Sequence, residues 1–169
     1  MNYAYMVMQL SQNARRIEAL VRDIPLEQAR WKPAPESWSI LEVVNHLLDE
    51  EREDFRVRLD IILHHPDQQP APIDPQGWVT ARAYNQRELE TSLQAFLDER
   101  QKSLEWLRSL ENPDWEKEYA APFGSIKAGD MFAAWVTHDQ LHMRQLVEIQ
   151  RANLELQAKP YRLDYAGEW

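Results

Sequence analysis

Prolines divide the chain into four long segments whose apolar residues recur with the period of an α-helix. Only 4 of the 169 residues are glycine, and the 10 prolines are clustered. The breaks lie at Pro25–Pro35, Pro66–Pro75, Pro113–Pro122 and Pro160. Between them the apolar residues follow a period of 3.6, and no segment alternates as a strand does. The sequence therefore predicts helices over about 3–23, 40–64, 80–110 and 129–152, followed by an aromatic tail over 160–169.

Four helices of this length predict an all-α protein, a four-helix bundle in a single domain over residues 1–169. The connection through residues 64–79 is long, so we expect it to cross the bundle rather than form a tight hairpin. Ser39 and Glu42 have the spacing of a capping box at the start of the second helix. The stretch Pro25–Arg30 predicts one further helical turn, since proline suits the first helical position.

Composition excludes several classes of function. The sequence contains no cysteine, which rules out disulfides, thiolate nucleophiles and cysteine-ligated metal centres. A formal charge of −9 disfavours a nucleic-acid partner, because the phosphate backbone is repelled. No apolar run approaches the length of a membrane span, and no basic stretch precedes an apolar run at the N-terminus. We therefore expect a cytoplasmic protein without a nucleic-acid or membrane partner.

Three of the five histidines are candidate metal ligands. His138 and His142 lie four residues apart, so they project from one helix face and can share one metal ion. His46 lies where the second helix is apolar nearly all round, which is typical of a buried helix. A histidine there either bonds to a polar neighbour in the core or meets the other two across the bundle. The spacing alone leaves both interpretations open.

Glu50 is the candidate catalytic residue. It lies one turn beyond His46 on the same face, where a carboxylate can act as a general base, a fourth metal ligand or a group that orients a ligand. The competing interpretation is a solvated acidic stripe, because residues 49–54 are all charged. That interpretation applies still more strongly to Glu53.

Other polar residues near the histidines have structural interpretations. Asp139 points about 100° away from the preceding His138, so we assign it no catalytic role. Gln145 can fix a ligand from behind, but packing or hydrogen bonding between helices is the favoured interpretation. The pair His64–His65 ends the second helix, where imidazolium charge complements the helix dipole.

Aromatic residues cluster at two places outside the helices. Trp31 and Trp38 flank the entry to the second helix, where they either cap the core, which is the favoured interpretation, or roof the mouth of a pocket. Tyr165 and Trp169 lie in the tail, and we expect them to dock on the bundle or on a neighbouring subunit, since a loose aromatic tail exposes apolar surface.

Three segments together resemble a known family. The first is W-K-P-A-P-E-S-W-S-I-L-E-V-V-N-H-L at residues 31–47, which leads into a helix with one histidine. The second, residues 123–146, contains the pattern H-D-x-x-H-x-x-Q, and the third is the tail Y-R-L-D-Y-A-G-E-W at residues 161–169. In order and spacing the sequence resembles the DinB/YfiT-like superfamily of metalloenzymes.

The resemblance implies a four-helix bundle with a crossover connection, and a divalent metal held by His46, His138 and His142. Histidine ligation suits Zn²⁺, Ni²⁺, Fe²⁺ or Cu²⁺, of which we expect zinc, nickel or iron. The resemblance also implies an enzyme that acts on a small molecule, either by transfer of a low-molecular-weight thiol or by hydrolysis. It implies a possible homodimer as well. The alternative function is a non-catalytic, dimeric metal-binding or stress-related bundle.

Overall fold

The computed structural model describes residues 1–121 and 124–169, and most of these residues are helical. Its helices and strands, in chain order, are α1 (Tyr3–Val21), α2 (Leu26–Arg30), α3 (Ile40–Asp49), a π-helical segment (Glu50–Phe55), α4 (Arg56–His64), α5 (Pro75–Ala81), α6 (Leu89–Ser109), β1 (Glu118–Ala121), β2 (Gly124–Lys127) and α7 (Ala128–Ala158). Within this described part, no helix combines the length and the apolar character needed to cross a lipid bilayer.

Local signals explain where several helices begin. The predicted capping box is present, because the Ser39 hydroxyl accepts a hydrogen bond from the Glu42 backbone N–H while the Glu42 carboxylate accepts one from the Ser39 N–H. Asn2 caps α1 by accepting a hydrogen bond from the Tyr5 N–H. The short helix predicted after Pro25 is also present, with Pro25 in the capping position just before its first residue.

Four long helices form the bundle, and α3, the π segment and α4 make up one of them. This helix and α1 each pack against both α6 and α7, so the order around the bundle is α1, α6, α3–α4, α7. The predicted all-α four-helix bundle is confirmed. Consecutive helices of the chain are not always neighbours, since α1 lies diagonally across from α3–α4.

Two hydrophobic clusters fill the bundle, one toward each end. One contains the C-terminal halves of α1 and α7 with the N-terminal parts of α3 and α6, and the other contains the opposite ends. α1 and α7 therefore run in one direction, and α3–α4 and α6 run in the other. The direction of the four helices along the chain is up, down, down, up.

Residues 65–88, which we call the strap, connect two parallel helices and must return along the full length of the bundle. Near one end Gln69 accepts a hydrogen bond from Tyr119, and further along Arg82 pairs with Asp49 at 2.6 Å. Toward the other end Asn85 donates to the Arg30 carbonyl. The predicted crossover connection is confirmed.

Several predicted boundaries are wrong. The third long helix begins at Leu89 rather than at 80, because Ala83 is in the left-handed conformation and a 3₁₀ turn at Tyr84–Gln86 follows it. The first helix ends at Val21 rather than at 23, and the last continues to Ala158 rather than to 152. The break predicted at Pro122 lies outside the described residues.

An antiparallel hairpin of β1 and β2 precedes α7, although the sequence predicts no strand. Tyr119 pairs with Ile126 in its register. Each strand has only four residues, which is too short for an alternating pattern to stand out from the sequence.

Tyr165 does not dock on the bundle, which leaves a neighbouring subunit as the predicted alternative. Its side chain is fully exposed, whereas Trp169 lies with its ring 5.0 Å from the guanidinium carbon of Arg151 on α7 and stays largely exposed.

Candidate metal centre

The structure brings the three predicted histidines together. His46 comes from α3, while His138 and His142 come from successive turns of α7. The Nε2 atom of His138 lies 3.3 Å from Nε2 of His46 and 3.1 Å from Nε2 of His142. Two nitrogens bound to a tetrahedral zinc ion at about 2.0–2.1 Å are about 3.3–3.4 Å apart, so these separations fit a shared metal ion.

Burial keeps the three imidazoles neutral near pH 7. Burial, reinforced by the nearby His142, lowers the pKa of His46 to about 3. Burial and the two neighbouring histidines lower the pKa of His138 to about 2, and burial lowers that of His142. A neutral imidazole has a free lone pair, which is the form that binds a metal.

Gln145 orients one of the three rings. His142 Nδ1 donates a hydrogen bond to the Gln145 side-chain carbonyl at 2.8 Å, which leaves the lone pair on Nε2, facing the other two histidines. Gln145 therefore contacts one of the predicted ligands, and its role in orienting a metal-bound ring stays a prediction.

Glu50 is buried beside His46, in the π-helical segment. Its Oε1 lies 3.9 Å from Nδ1 of His46, and neither atom has a hydrogen-bond partner among the described residues. Burial, reinforced by the neighbouring Asp54 carboxylate, raises the pKa of Glu50 to about 8. π-Helical turns are rare and often occur at functional sites. The structure therefore places Glu50 beside His46, and its catalytic role stays a prediction.

The solvated-stripe interpretation of residues 49–54 is wrong for most of the segment, because four of its acidic side chains are buried: Asp49, Glu50, Glu51 and Asp54. Glu53 is half-buried, but it pairs with Arg82 on the strap and not with the histidines.

An open cleft of about 900 Å³ leads from the surface to the histidines. The Trp38 ring forms part of its wall, stacked parallel to His142 and edge-on to His46. Leu141 and Ile149 line it further out. Trp31 and Trp38 both pack against the core, as the favoured interpretation predicts, and Trp38 also lines the cleft.

Comparison with known proteins agrees with this geometry. The sequence profile of the DinB superfamily matches residues 9–146, more than half of the chain. The chain belongs to the DinB superfamily. A solved structure with this fold has a TM-score of 0.78 at 17% identity, covering 88% of this chain and 86% of that one; it is described as "YfiT from Bacillus subtilis is a probable metal-dependent hydrolase with an unusual four-helix bundle topology". No curated protein matches the sequence at a significant level.

This DinB-superfamily bundle also holds a buried ionic network that the sequence does not predict. Both Arg100 terminal nitrogens donate to the Asp139 carboxylate at 2.8 Å, and its Nε donates to Glu51 at 2.9 Å. Glu51 also accepts a hydrogen bond from the Trp135 indole. Burial opposes the charge, but the Asp139 and Glu51 carboxylates raise the pKa of Arg100 above its ordinary value.

The network lies between the two apolar clusters, at the level of the histidines. Asn13 on α1 donates to Asp139, so all four long helices of the DinB bundle contribute to this polar layer. Asp139 lies directly after His138 and is fully buried. The prediction that Asp139 points away from His138 agrees with this placement, since its carboxylate pairs with Arg100 on α6.

The remaining two histidines lie away from the centre. His64 and His65 are exposed at the end of α4, and Nδ1 of His64 lies 2.7 Å from the Asp60 carboxylate. Their predicted role at a helix end agrees with this position.

Proposed function

We propose that this chain is a divalent-metal-dependent enzyme that acts on a small molecule. The observation that carries the proposal is the convergence of three neutral imidazole Nε2 atoms at the floor of an open cleft. The family supports it, and so does the description of the YfiT structure as a probable metal-dependent hydrolase.

His46, His138 and His142 would hold the metal ion. Each of these histidines offers one nitrogen, and the three nitrogens lie within 4.8 Å of one another. No carboxylate of the described residues, that of Glu50 included, belongs to this group. Three protein ligands leave coordination positions open, as in catalytic rather than structural sites. Nitrogen ligation favours zinc, nickel or iron over magnesium or calcium.

The metal, when bound, supplies a Lewis acid that polarises a carbonyl and lowers the pKa of water or of a thiol. The chain supplies the rest. Glu50 holds a proton at its carboxyl group beside His46 and is the residue we propose as general acid and base. Trp38 presents an apolar wall against which a substrate packs.

Hydrolysis is the reaction we favour, since water is its only co-reactant. Thiol transfer is the second candidate, and the size of the cleft supports it. A volume of about 900 Å³ is near the upper end of small-molecule sites, so a thiol and a second substrate fit together.

The decisive measurement is metal content. We expect about one equivalent of zinc, nickel or iron per chain in tag-free protein by mass spectrometry, and loss of this metal in His46→Ala and His138→Ala. His64→Ala is the matched control, because this histidine is exposed and distant from the cleft. A wild-type protein that takes up no metal after incubation with Zn²⁺ or Ni²⁺ would leave the non-catalytic bundle as the better proposal.

A substrate screen distinguishes hydrolysis from thiol transfer. Esters and amides are incubated with metal-loaded protein, with and without added low-molecular-weight thiols. Product formation without thiol supports hydrolysis, and product that contains the thiol supports transfer. Metal-loaded protein that is inactive in both assays favours the non-catalytic alternative. The possible homodimer stays a prediction, which light scattering during gel filtration tests.

A further inference from the structure

A second cavity, separate from the metal cleft, lies toward the other end of the bundle. Its volume is about 290 Å³, and it is lined by residues of the π segment, α4, the strap, the hairpin and the first turns of α7. Ile62, Ile73, Tyr119 and Met131 are among its apolar walls. The proposed function uses none of these residues.

The walls of this cavity are fixed by specific hydrogen bonds. The Tyr119 hydroxyl donates to the Gln69 side chain at 2.8 Å, which ties the hairpin to the strap. Arg58 donates to the Ala71 carbonyl at 3.2 Å, which ties the strap to α4. Both hydrogen bonds therefore join elements that line the cavity.

The cavity is a partly open recess in the bundle rather than a sealed void, because Ala134 at its edge is exposed. The cavity has the liquid volume of about ten water molecules, yet its lining is mainly hydrocarbon and offers water few partners. Such a space suits an apolar molecule of about ten non-hydrogen atoms.

One ion pair supplies the polar end of the cavity. Asp54, which is more than nine-tenths buried, accepts a hydrogen bond from Arg58, and both residues line the cavity. The charges of Asp54 and Arg58 neutralise each other, so the cavity offers no free counter-charge. A charged ligand would therefore bury its own charge without a partner. We propose that the cavity binds a neutral, mainly hydrocarbon small molecule with one hydroxyl or amide group that faces Asp54 and Arg58.

Phe55 separates this site from the metal cleft. Its ring lines the second cavity and also packs on His138, with 5.0 Å between ring centroids. Binding in the cavity therefore needs no metal, and the proposal does not rest on the proposed catalytic function.

The test is a titration with 3-phenylpropan-1-ol, followed by NMR of labelled Ile and Met methyl groups in the full chain. We expect saturable shifts at Ile62, Ile73 and Met131, with and without EDTA. The carboxylate and ammonium analogues of the probe should bind roughly tenfold more weakly.

Two variants fill the cavity from opposite sides. Ala134→Phe adds a ring from an exposed position at its edge, and Ile73→Trp fills it from the strap. Each should weaken binding by roughly tenfold or more, whereas Thr91→Phe, an equally exposed change on α6, should leave it unchanged. Shifts confined to Ile149 of the metal cleft, equal binding of the charged analogues, or unchanged binding in both filled variants would each overturn the proposal.

Discussion

Gln145 has a role that spacing alone could not assign. It accepts the Nδ1–H of His142, so it fixes both the tautomer and the direction of that ring. Groups that orient a metal-bound histidine in this way contribute about 10–100-fold to metal affinity. We expect Gln145→Leu to weaken metal binding by that factor, as measured by competition with a chromogenic chelator.

A matched control is available on the same helix. Gln150 also lies on α7, and its amide donates to the Leu20 carbonyl, away from the histidines. Gln150→Leu should leave the metal affinity of the protein unchanged. Equal affinities in Gln145→Leu and wild type would show that Gln145 has only a packing role.

Glu50 makes the stability of the metal-free protein depend on pH. Burial, with help from Asp54, raises the pKa of Glu50 from 4.5 to about 8, so the folded chain binds this proton more tightly than the unfolded chain does. The resulting stabilisation is complete below about pH 4.5 and is lost as the pH rises through about 8.

We therefore expect the unfolding free energy of wild type, minus that of Glu50→Gln, to fall by roughly 3–5 kcal/mol between acidic and alkaline pH in EDTA. Taking this difference removes the contribution of the histidines, which both proteins share. Urea titrations at several pH values measure it. A difference that does not vary with pH would mean that Glu50 is solvated in the folded protein.

At the scale of helices and strands, the buried Arg100 holds four helices together at one level. Replacing it by methionine leaves the carboxylates of Asp139 and Glu51 buried without their partner. Breaking a buried pair in this way typically costs 3–5 kcal/mol. We expect Arg100→Met to lose about that much unfolding free energy in urea.

Arg144 provides the comparison for this variant. It lies on α7 with most of its side chain exposed, so Arg144→Met should change stability by no more than about 0.5 kcal/mol. A similarly small effect of Arg100→Met would mean that the network contributes little net stability.

The sequence predicts the position of a residue where spacing or apolar periodicity along the chain reveals its environment. It does not predict burial that depends on a partner distant in the sequence. His138 and His142 are visible because their spacing is helical, and the long helices are visible because apolar side chains repeat along them. The burial of Glu51 and Asp54 is not visible, since a run of charges has the same pattern whether its partners are water or a distant arginine. Arg100 lies 39 positions from Asp139, and nothing local connects them.

For the whole molecule, a metal ion would cross-link two neighbouring helices, α3 and α7. A ligand that binds only the folded chain stabilises it by about 2.7 kcal/mol at 100 times its dissociation constant. For a chain of this size each kcal/mol raises the melting temperature by about 2–4 °C. We expect added Zn²⁺ to raise the melting temperature by roughly 5–10 °C, and His46→Ala to abolish this rise.

The same comparison with His64→Ala should retain the full rise in melting temperature, because this histidine lies outside the cluster. Equal effects of Zn²⁺ on wild type and His46→Ala would place the stabilising ion at another site.

The up, down, down, up arrangement has a consequence for a chain that is still being synthesised. α1 packs chiefly on α6 and α7, so the ribosome releases it long before either partner exists. His46 likewise emerges 92 residues ahead of His138. Until α6 and α7 have been synthesised, the apolar stripe of α1, which includes Leu10 and Ile17, stays exposed to solvent. Chaperones can bind such an exposed apolar surface. The bundle can therefore close only after α7 has been synthesised.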